Sequence, residues 1–286
     1  MTSDKTLRIL VAFEHFRTPA KVTRALLDPD PEMLRQVWRE MAGSTRAALS
    51  RRSEELASRG VTAVGADDPC FPRALVVNDR PIAPALFCIG ASQLLTAQGA
   101  GICGARNASV LGLKAARVSG EEASSRGLTV VSGYAKGVDS ESHRAALENG
   151  GATILVLAEG IDHFRVKRDL SPYFDPERVL VISQFHPGQP WATHAAMTRN
   201  RLIFGLGMAL IVIEAGERGG TLAAGQEALK RGRPVVVVNF GDDAPPGNHI
   251  LIQAGARVAT SRRELGDALG MVVAQAKTLP EQGKLL

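Results

Sequence analysis

The chain of 286 residues contains few aromatic side chains and few cysteines. Phe, Trp and Tyr together account for 5% of its residues, which limits any surface on which nucleic-acid bases could stack. The three cysteines, Cys70, Cys88 and Cys103, form no C-x-x-C pair. This small, odd number argues against a disulfide framework and a cysteine-based zinc site. Buried thiols in a reducing compartment are therefore expected.

Long apolar runs are also missing. The apolar run near the N-terminus stops at Glu14, which is too early for a signal peptide. Internal apolar runs such as 209–213 and 235–238 are far shorter than the roughly 20 residues of a membrane-spanning helix. We therefore expect a soluble, cytoplasmic protein with no membrane partner.

Neither sign of charge is in large excess. The chain has 34 Lys and Arg against 29 Asp and Glu, a net charge of +5, and a sequence pI near 9.4. This balance does not identify a nucleic-acid partner by itself, so the positions of the basic residues matter more. With 45% hydrophobic and 22% charged residues, the chain can bury a sizeable core, which excludes wholesale disorder.

Two regions differ in their hydrophobic pattern. Residues 1–60 are polar, with an apolar stripe at positions 33, 34, 37 and 38, and predict a small helical N-terminal region. Over 61–270, short apolar runs alternate with amphipathic segments, which predicts a doubly wound, mostly parallel α/β sheet. A short tail, 271–286, follows. The strands are expected at 86–89, 101–103, 128–131, 153–157, 179–182, 209–213 and 234–238, and the helices at 111–126, 138–148 and 221–231.

Patterns of catalysis and cofactor binding are weak or absent. In the G-x-G-x-x-G sequence at 99–104, the residues that best fit a strand lie within the motif. A dinucleotide site needs this motif after the strand, so dinucleotide binding is not favoured. There is no P-loop, no G-x-S-x-G and no H-x-x-x-H pair. The loop 214–221 is similar to the glycine-rich motif of nucleotide phosphoribohydrolases, but its spacing to Glu227 does not match. We expect no cofactor, no metal and no enzymatic activity, with a phosphoribohydrolase as the less favoured alternative.

Glycines and basic residues gather in the loops that follow the predicted strands. The carboxyl ends of parallel strands share one edge of the sheet, where ligands of such folds bind. Glycines let an anion approach the backbone there, and helix N-termini can hold a phosphate. An ordinary turn with a solvated Arg106 explains the first loop equally well, and Asp139 is expected to cap the helix that follows it. The loops at this edge are 104–113, 132–138, 158–168 and 214–221.

Several of these segments together resemble the DprA/Smf family of DNA-processing proteins. Residues 132–139, Ser-Gly-Tyr-Ala-Lys-Gly-Val-Asp, followed by His143, are similar to the family motif SGxAxGID…AH. The resemblance extends over about residues 61–260. The other matching segments are 104–106 with GSR, 199–203 with RNRII and 212–221 with VVEA…RSGT.

The resemblance implies a Rossmann-like fold, binding of single-stranded DNA, no established catalysis and a homodimer. Members of the family typically load a recombinase onto incoming DNA during transformation, so a recombinase is an expected partner. Arg106 and Arg199 are expected to lie exposed on one face of the sheet edge, with room for an anion between them. The homodimer is expected to form through residues 235–269. The predicted DNA phosphate-binding residues are Gly104, Arg106, Gly133, Lys136, Arg199, Asn200, Arg201, Gly219, Gly220 and Thr221.

The chain also departs from the family pattern. Ala196 stands where the family usually has an aromatic residue, and the sequence leaves open whether Trp191 or His194 replaces it. Ala105 and Gly219 replace the usual serines of GSR and RSGT. No winged-helix domain is expected after the sheet. Because some divergent relatives resemble partners of toxins, an antitoxin or regulator in an antiphage defence module, binding a toxin protein, is the main alternative.

Overall fold

Four N-terminal helices precede a large mixed sheet in the computed structural model of the protein, which describes residues 4–241 and 244–278. The helices are α1 (Lys5–Phe16), α2 (Pro19–Leu26), α3 (Pro31–Glu40), α4 (Gly43–Ser58), α5 (Val110–Ser125), α6 (Val138–Glu148), α7 (Thr193–Leu206), α8 (Gly220–Lys230), α9 (Pro246–Gln253) and α10 (Arg262–Thr278). The strands are β1 (Thr62–Gly65), β2 (Val76–Val77), β3 (Arg80–Pro81), β4 (Ala85–Gly90), β5 (Gly99–Gly104), β6 (Thr129–Gly133), β7 (Thr153–Val156), β8 (Val179–Ser183), β9 (Gly207–Ile213), β10 (Val235–Val238) and β11 (Arg257–Ala259).

Nine strands in the described part of the chain form one sheet, in the order β1-β4-β8-β7-β6-β5-β9-β10-β11, and β2 pairs with β3 separately. β4 runs antiparallel to both of its neighbours, and the remaining pairs of the sheet are parallel. The expected doubly wound, mostly parallel α/β fold is therefore confirmed. From β5 the chain adds β6, β7 and β8 on one side, then crosses through α7 to β9 on the other side. The switch point of the sheet lies between β5 and β9.

Helices cover both faces of the sheet. On one face, Leu202 and Ile203 of α7 and Leu251 of α9 belong to the same buried cluster as Leu210 of β9. α5, α6 and α10 cover the opposite face over β5, β6 and β9. Every residue of β7 and β8 is buried, as expected for strands that are covered on both sides.

The N-terminal helices pack on the same sheet. Leu10 of α1 belongs to one buried cluster with Leu155 of β7. Arg52 of α4 pairs with the Asp162 carboxylate, and Nη1 of Arg59, the residue that follows α4, lies 2.7 Å from Asp162 Oδ1. The helical region and the sheet share one apolar core. The predicted domain boundary near residue 60 therefore stays a prediction. No helix within the described ranges is both long and apolar enough to cross a membrane.

The predicted strands and helices of the sheet domain are confirmed, with shifts of one or two residues at their ends. The G-x-G-x-x-G sequence coincides with β5 itself. A Cβ at Gly104 would overlap the Ile213 carbonyl and the Val138 side chain, so this glycine lets β9 and α6 pack closely. α10 continues through 271–278 of the predicted tail, and the rest of that tail lies outside the described residues.

Candidate functional site

A cleft of about 510 Å³ opens at the carboxyl edge of the sheet, beside the switch point between β5 and β9. The loops after β5, β6 and β9 line it together with the N-terminal half of α7. A smaller cavity of about 230 Å³ adjoins it and reaches Tyr134, Lys136 and Glu159. Doubly wound sheets bind their ligands at this position because the connections diverge there and leave a crevice. The residues that line both spaces are Arg106, Ala135, Trp191 and Arg199.

Helix α7 separates the two arginines of the Arg-Asn-Arg sequence. Residues two apart on an α-helix point about 200° apart around its axis. Arg199 faces the sheet and is 5% exposed, whereas Arg201 is exposed and lies 3.9 Å from Glu227 of α8. The expectation that Arg199 is exposed is therefore wrong, and Arg201 is not brought into the cleft.

The Arg199 guanidinium lies in the floor of the cleft beside the Asp139 carboxylate. Arg199 Nη1 donates a hydrogen bond of 2.6 Å to the Val156 carbonyl. A Cβ at Gly133 would overlap both the guanidinium and Asp139 Oδ2, so only glycine fits between them. Burial lowers the pKa of Arg199 and raises the pKa of Asp139, and in each case the opposite charge of the neighbour counteracts the shift. Among the described residues, buried Arg199 Nε has no hydrogen-bond partner.

Asp139 does not cap α6 as expected. The helix begins at Val138, so Asp139 is its second residue, and the cap position is occupied by Gly137. Asp139 Oδ2 instead accepts a hydrogen bond of 3.3 Å from the Ala135 N–H and fixes the loop that precedes the helix. Gly137 has a φ of +78°, and a Cβ there would overlap the carbonyl oxygens of Ala105 and Arg106. The glycine thus allows the loops after β5 and β6 to meet beside the cleft.

His143 supports this arrangement from beneath. Its Nε2–H donates to the Gly133 carbonyl at 2.7 Å, and its Nδ1 lies 2.6 Å from Thr153 Oγ1. The side chain is fully buried, and burial lowers the pKa of His143 to about 3. The ring is therefore neutral at pH 7 and holds the end of β6 in place. It is not positioned to exchange protons with a ligand.

The loops around the cleft are tied to one another by predicted site residues. Thr221 Oγ1 donates to the Gly104 carbonyl at 3.1 Å, and Asn200 Nδ2 donates to the Gly220 carbonyl at 3.2 Å. All four residues line the cleft, as does Gly219, whose φ is +116°. The Thr221 hydroxyl therefore fixes the N-terminus of α8 to β5, and the Asn200 amide fixes it to α7.

Glu214 closes the other side of the cleft at the end of β9. Its carboxylate accepts hydrogen bonds from the Ser109 N–H, at 2.9 Å, and from the Ser109 hydroxyl. Ser109 Oγ in turn accepts from the Gly112 N–H at 3.0 Å and caps α5. A carboxylate is favoured at this place, because the helix dipole is positive at the N-terminus. The Glu214 carboxylate is therefore used to stabilise the N-terminus of α5.

Basic residues form the outer rim of the two spaces. Arg106, Lys136 and Arg218 are all exposed, while the carboxylates of Asp139 and Glu214 are buried. A ligand that approaches from solvent therefore meets positive charge first. The residues described hold no group of His, Cys, Asp and Glu side chains that could bind a metal ion.

Two residues of the site were not among the sequence-predicted ones. Arg218 lies in the loop after β9, directly before the predicted Gly219. This neighbouring position is the sequence feature from which Arg218 could have been predicted. Trp191 lies between β8 and α7, and it lines the cleft with 48% of its surface exposed. Arg106 Cζ stands 5.5 Å from the centroid of its ring. The sequence left open whether Trp191 or His194 replaces the aromatic residue missing at Ala196, and Trp191 lines both the cleft and the smaller cavity.

Comparisons with known proteins agree with this fold. The family model of DNA recombination-mediator protein A matches residues 39–270. The DNA processing protein DprA of Streptococcus pneumoniae is 37% identical over 206 residues, which cover 69% of this chain and 71% of that protein. The X-ray structure of DprA from Streptococcus pneumoniae superposes with a TM-score of 0.67 and 29% identity, covering 92% of this chain and 93% of the other.

A second solved structure shares the fold. DNA processing protein A from Helicobacter pylori, whose structure was described for its single-stranded DNA binding mode, has a TM-score of 0.64 and 21% identity. The superposition covers 74% of this chain and 96% of the Helicobacter pylori chain. The family model covers most of the chain, and the Streptococcus pneumoniae protein is more than 30% identical over more than two thirds of it. The chain therefore belongs to the DprA/Smf family, the DNA recombination-mediator proteins A.

Proposed function

We propose that the chain binds single-stranded DNA along the carboxyl edge of the sheet and acts in DNA processing. The observation that carries this proposal is the convergence of Arg106, Lys136 and Arg218 on the rim of one continuous crevice. Lys and Arg side chains that neutralise phosphates supply most of the affinity of sequence-independent binding. The single-stranded DNA binding described for the Helicobacter pylori protein supports the same ligand for a chain of this family.

The sequence predicts that Arg199 is an exposed phosphate-binding residue, but in the structure it is buried. The buried guanidinium lines the floor of the crevice beside Asp139, whose charge offsets its own, so we assign it a supporting role beneath the rim and do not count it among the phosphate contacts. Gly219 and Gly220 bring the N-terminus of α8 to the same wall, where backbone N–H groups favour an anion. Arg201 is left out of the proposed contact because it faces α8.

We propose binding without catalysis. The two side chains that chemistry would most need, His143 and Glu214, are hydrogen-bonded within the fold. Delivery of the strand to a recombinase is the expected consequence of binding in this family. Neither the antitoxin nor the phosphoribohydrolase alternative is favoured by a feature of the described residues.

A homodimer completes the proposal. Val258 of β11 and Met271 of α10 are exposed apolar residues on the last strand of the sheet and the helix beside it. Both belong to the C-terminal part of the fold, and Val258 lies within the segment expected to dimerise. Light scattering at micromolar concentration is expected to give twice the mass of one chain, and the mass of a monomer would contradict this part.

The test of the function is binding to labelled oligonucleotides, single-stranded and duplex, over a range of salt concentrations. For a single strand, the slope of log K against log salt concentration is about −0.7 for each phosphate that a cation neutralises. Three rim cations therefore predict a slope of about −2. Binding to the single strand should be the tighter of the two. Equal affinity for the duplex, or no binding at low salt, would contradict the proposal.

A further inference from the structure

Trp191 is an exposed aromatic residue in a chain that has only 2 Trp. The ring lines both the large cleft and the smaller cavity next to it, so it stands at the junction of the two. Lys136 lines the smaller cavity and Arg218 lines the large cleft, so a strand that contacts both crosses the junction at which this ring lies. An indole ring has the π-face on which any base can stack.

Arg106 and Trp191 together offer two kinds of contact at one point. The guanidinium carbon lies 5.5 Å from the ring centroid, within the range of a cation–π contact. The guanidinium can donate paired hydrogen bonds to a phosphate, while the indole takes the adjoining base. A nucleotide presents its phosphate and its base a few ångströms apart, which is the arrangement that this pair fits.

Other large side chains in the two spaces cannot take the same part. Tyr134 lines the smaller cavity, but its hydroxyl accepts a hydrogen bond of 2.7 Å from the Lys167 N–H. Tyr134 is also less exposed than Trp191, and Phe164 packs against it with the ring centroids 5.6 Å apart. Met197 is exposed in the large cleft, but it has no π-face. Ala196, also in the cleft, has none either.

We infer that Trp191 is the base-stacking residue of the crevice and that it makes binding depend on unpaired bases. This inference rests on the proposed binding of single-stranded DNA. In a duplex the bases are already stacked and paired, so the indole gains no partner. Trp191 would then favour single strands, while Arg106 and Lys136 hold the backbone of either form.

The experiment uses tryptophan fluorescence in the full chain. Trp38 is replaced by Phe, so that Trp191 becomes the single tryptophan and can be excited selectively at the red edge of its absorption. This protein is titrated with an oligothymidylate and with an abasic strand of the same length, and binding is followed separately by the anisotropy of a label on each strand. We expect the oligothymidylate to quench the fluorescence at saturation and the abasic strand to bind without quenching it. Saturating oligothymidylate that leaves the fluorescence unchanged overturns the inference.

Variants at the site measure the size of the contribution. Trp191→Leu should weaken oligothymidylate binding about 5-fold to 150-fold, the range for loss of one base–aromatic stack, and leave abasic-strand binding within about 2-fold of the Trp38→Phe protein. Trp191→Phe should restore part of the loss. Equal oligothymidylate affinity in Trp191→Leu and its parent also overturns the inference. Because quenching is measured with Trp191 in place, the test does not depend on the variants folding.

The two strands also separate this inference from the proposed function. If both strands bind with equal affinity and without quenching, the stacking role is rejected while phosphate binding stands. If the parent protein binds neither strand at low salt, the proposed function is rejected, and the stacking role with it.

Discussion

Arg199 of α7 and Asp139 of α6 both approach Gly133 at the position that a Cβ would take, in the floor of the cleft. Both side chains are buried, 5% and 7% exposed. Their opposite charges offset part of the cost that burial imposes on each of them. The pair therefore couples the two elements that form the cleft, and a change in either residue affects folding before it affects a ligand.

Arg199→Met should lower the free energy of unfolding by about 1–3 kcal/mol, because it leaves the buried Val156 carbonyl without this donor and removes the positive charge that counteracts the burial of Asp139. Urea denaturation at pH 7 measures this. The matched control is Arg201→Met on the exposed side of the same helix, which should change stability by less than about 0.5 kcal/mol. The double variant with Asp139→Asn should recover part of the loss, since both charges are then removed. Equal stability of the two single arginine variants would show that no buried pair exists.

Arg106→Ala should behave in the opposite way. Its side chain is exposed, and its contact with the Trp191 ring contributes up to about 1 kcal/mol at such a site. We expect a nearly unchanged melting temperature, a weaker affinity for single-stranded DNA and a salt slope that is smaller by about 0.7. Fluorescence anisotropy over a salt series and thermal denaturation on the same sample measure both.

The control for Arg106 is again an arginine outside the crevice. Arg201→Ala removes the same charge from the protein but lies on the α8 side of α7. Its affinity should stay within about 2-fold of the unchanged protein. If Arg201→Ala and Arg106→Ala weaken binding equally, only the net charge matters and the crevice is not the site.

The order of strands and helices could be predicted because each buried strand is a continuous apolar run between turn residues. The same alternation placed the loops 104–113, 132–138 and 214–221 at one edge, since parallel strands with right-handed connections share their carboxyl ends. The structure brings these three loops around one cleft. Helix α7 could not be predicted as a whole. Its first half, Thr-His-Ala-Ala-Met-Thr, shows no apolar period, because it borders the cleft and not the core.

The burial of Arg199 could not be predicted for the same reason. Without the helix, the sequence Arg-Asn-Arg gives no indication of which arginine faces the sheet. The partnership with Asp139 is a contact between α7 and α6, 60 positions apart in the chain, and local sequence carries no information on it. Likewise, Asp139 comes two residues after Gly137 and precedes a helical segment, so a cap is the natural local prediction. The helix starts at Val138, two residues earlier than a cap at Asp139 requires, because the positive φ at Gly137 already turns the chain.

His143 makes stability depend on pH in a specific direction. In the unfolded chain it binds a proton below about pH 6.5, whereas in the folded protein burial lowers the pKa of His143 to about 3. Between these values the unfolded state binds more protons, so the stability that this group contributes is complete above pH 6.5 and falls as the pH decreases. The loss between pH 7 and pH 5 should be about 2 kcal/mol.

The measurement compares the unchanged protein with His143→Gln, whose amide can donate to the same Gly133 carbonyl but does not titrate. Denaturant unfolding at pH 7 should show the variant to be less stable. At pH 5 the difference should be smaller by about 2 kcal/mol, because contributions from all other groups cancel. A difference that is the same at both values would mean that His143 takes up a proton in the folded protein.

Glu214 allows the structural and catalytic interpretations of the cleft to be separated. Its carboxylate accepts two hydrogen bonds from Ser109 at the N-terminus of α5, and a Cβ at Gly112 would overlap it. Glu214→Gln replaces one acceptor oxygen by a donor amide and removes the negative charge. We expect a loss of about 1–3 kcal/mol of stability, together with single-stranded DNA binding within about 3-fold of the unchanged protein.

The control for this prediction is Glu227→Gln. Glu227 lies on α8 and pairs on the surface with Arg231 at 2.7 Å, so its replacement should change stability by less than about 1 kcal/mol. Both variants and the unchanged protein are then incubated with nucleoside monophosphates, and release of the free base is measured. No release is expected from any of them, because the Glu214 carboxylate is occupied by the cap of α5. Release by the unchanged protein that disappears in Glu214→Gln and persists in Glu227→Gln would identify Glu214 as a catalytic residue and the cleft as an active site.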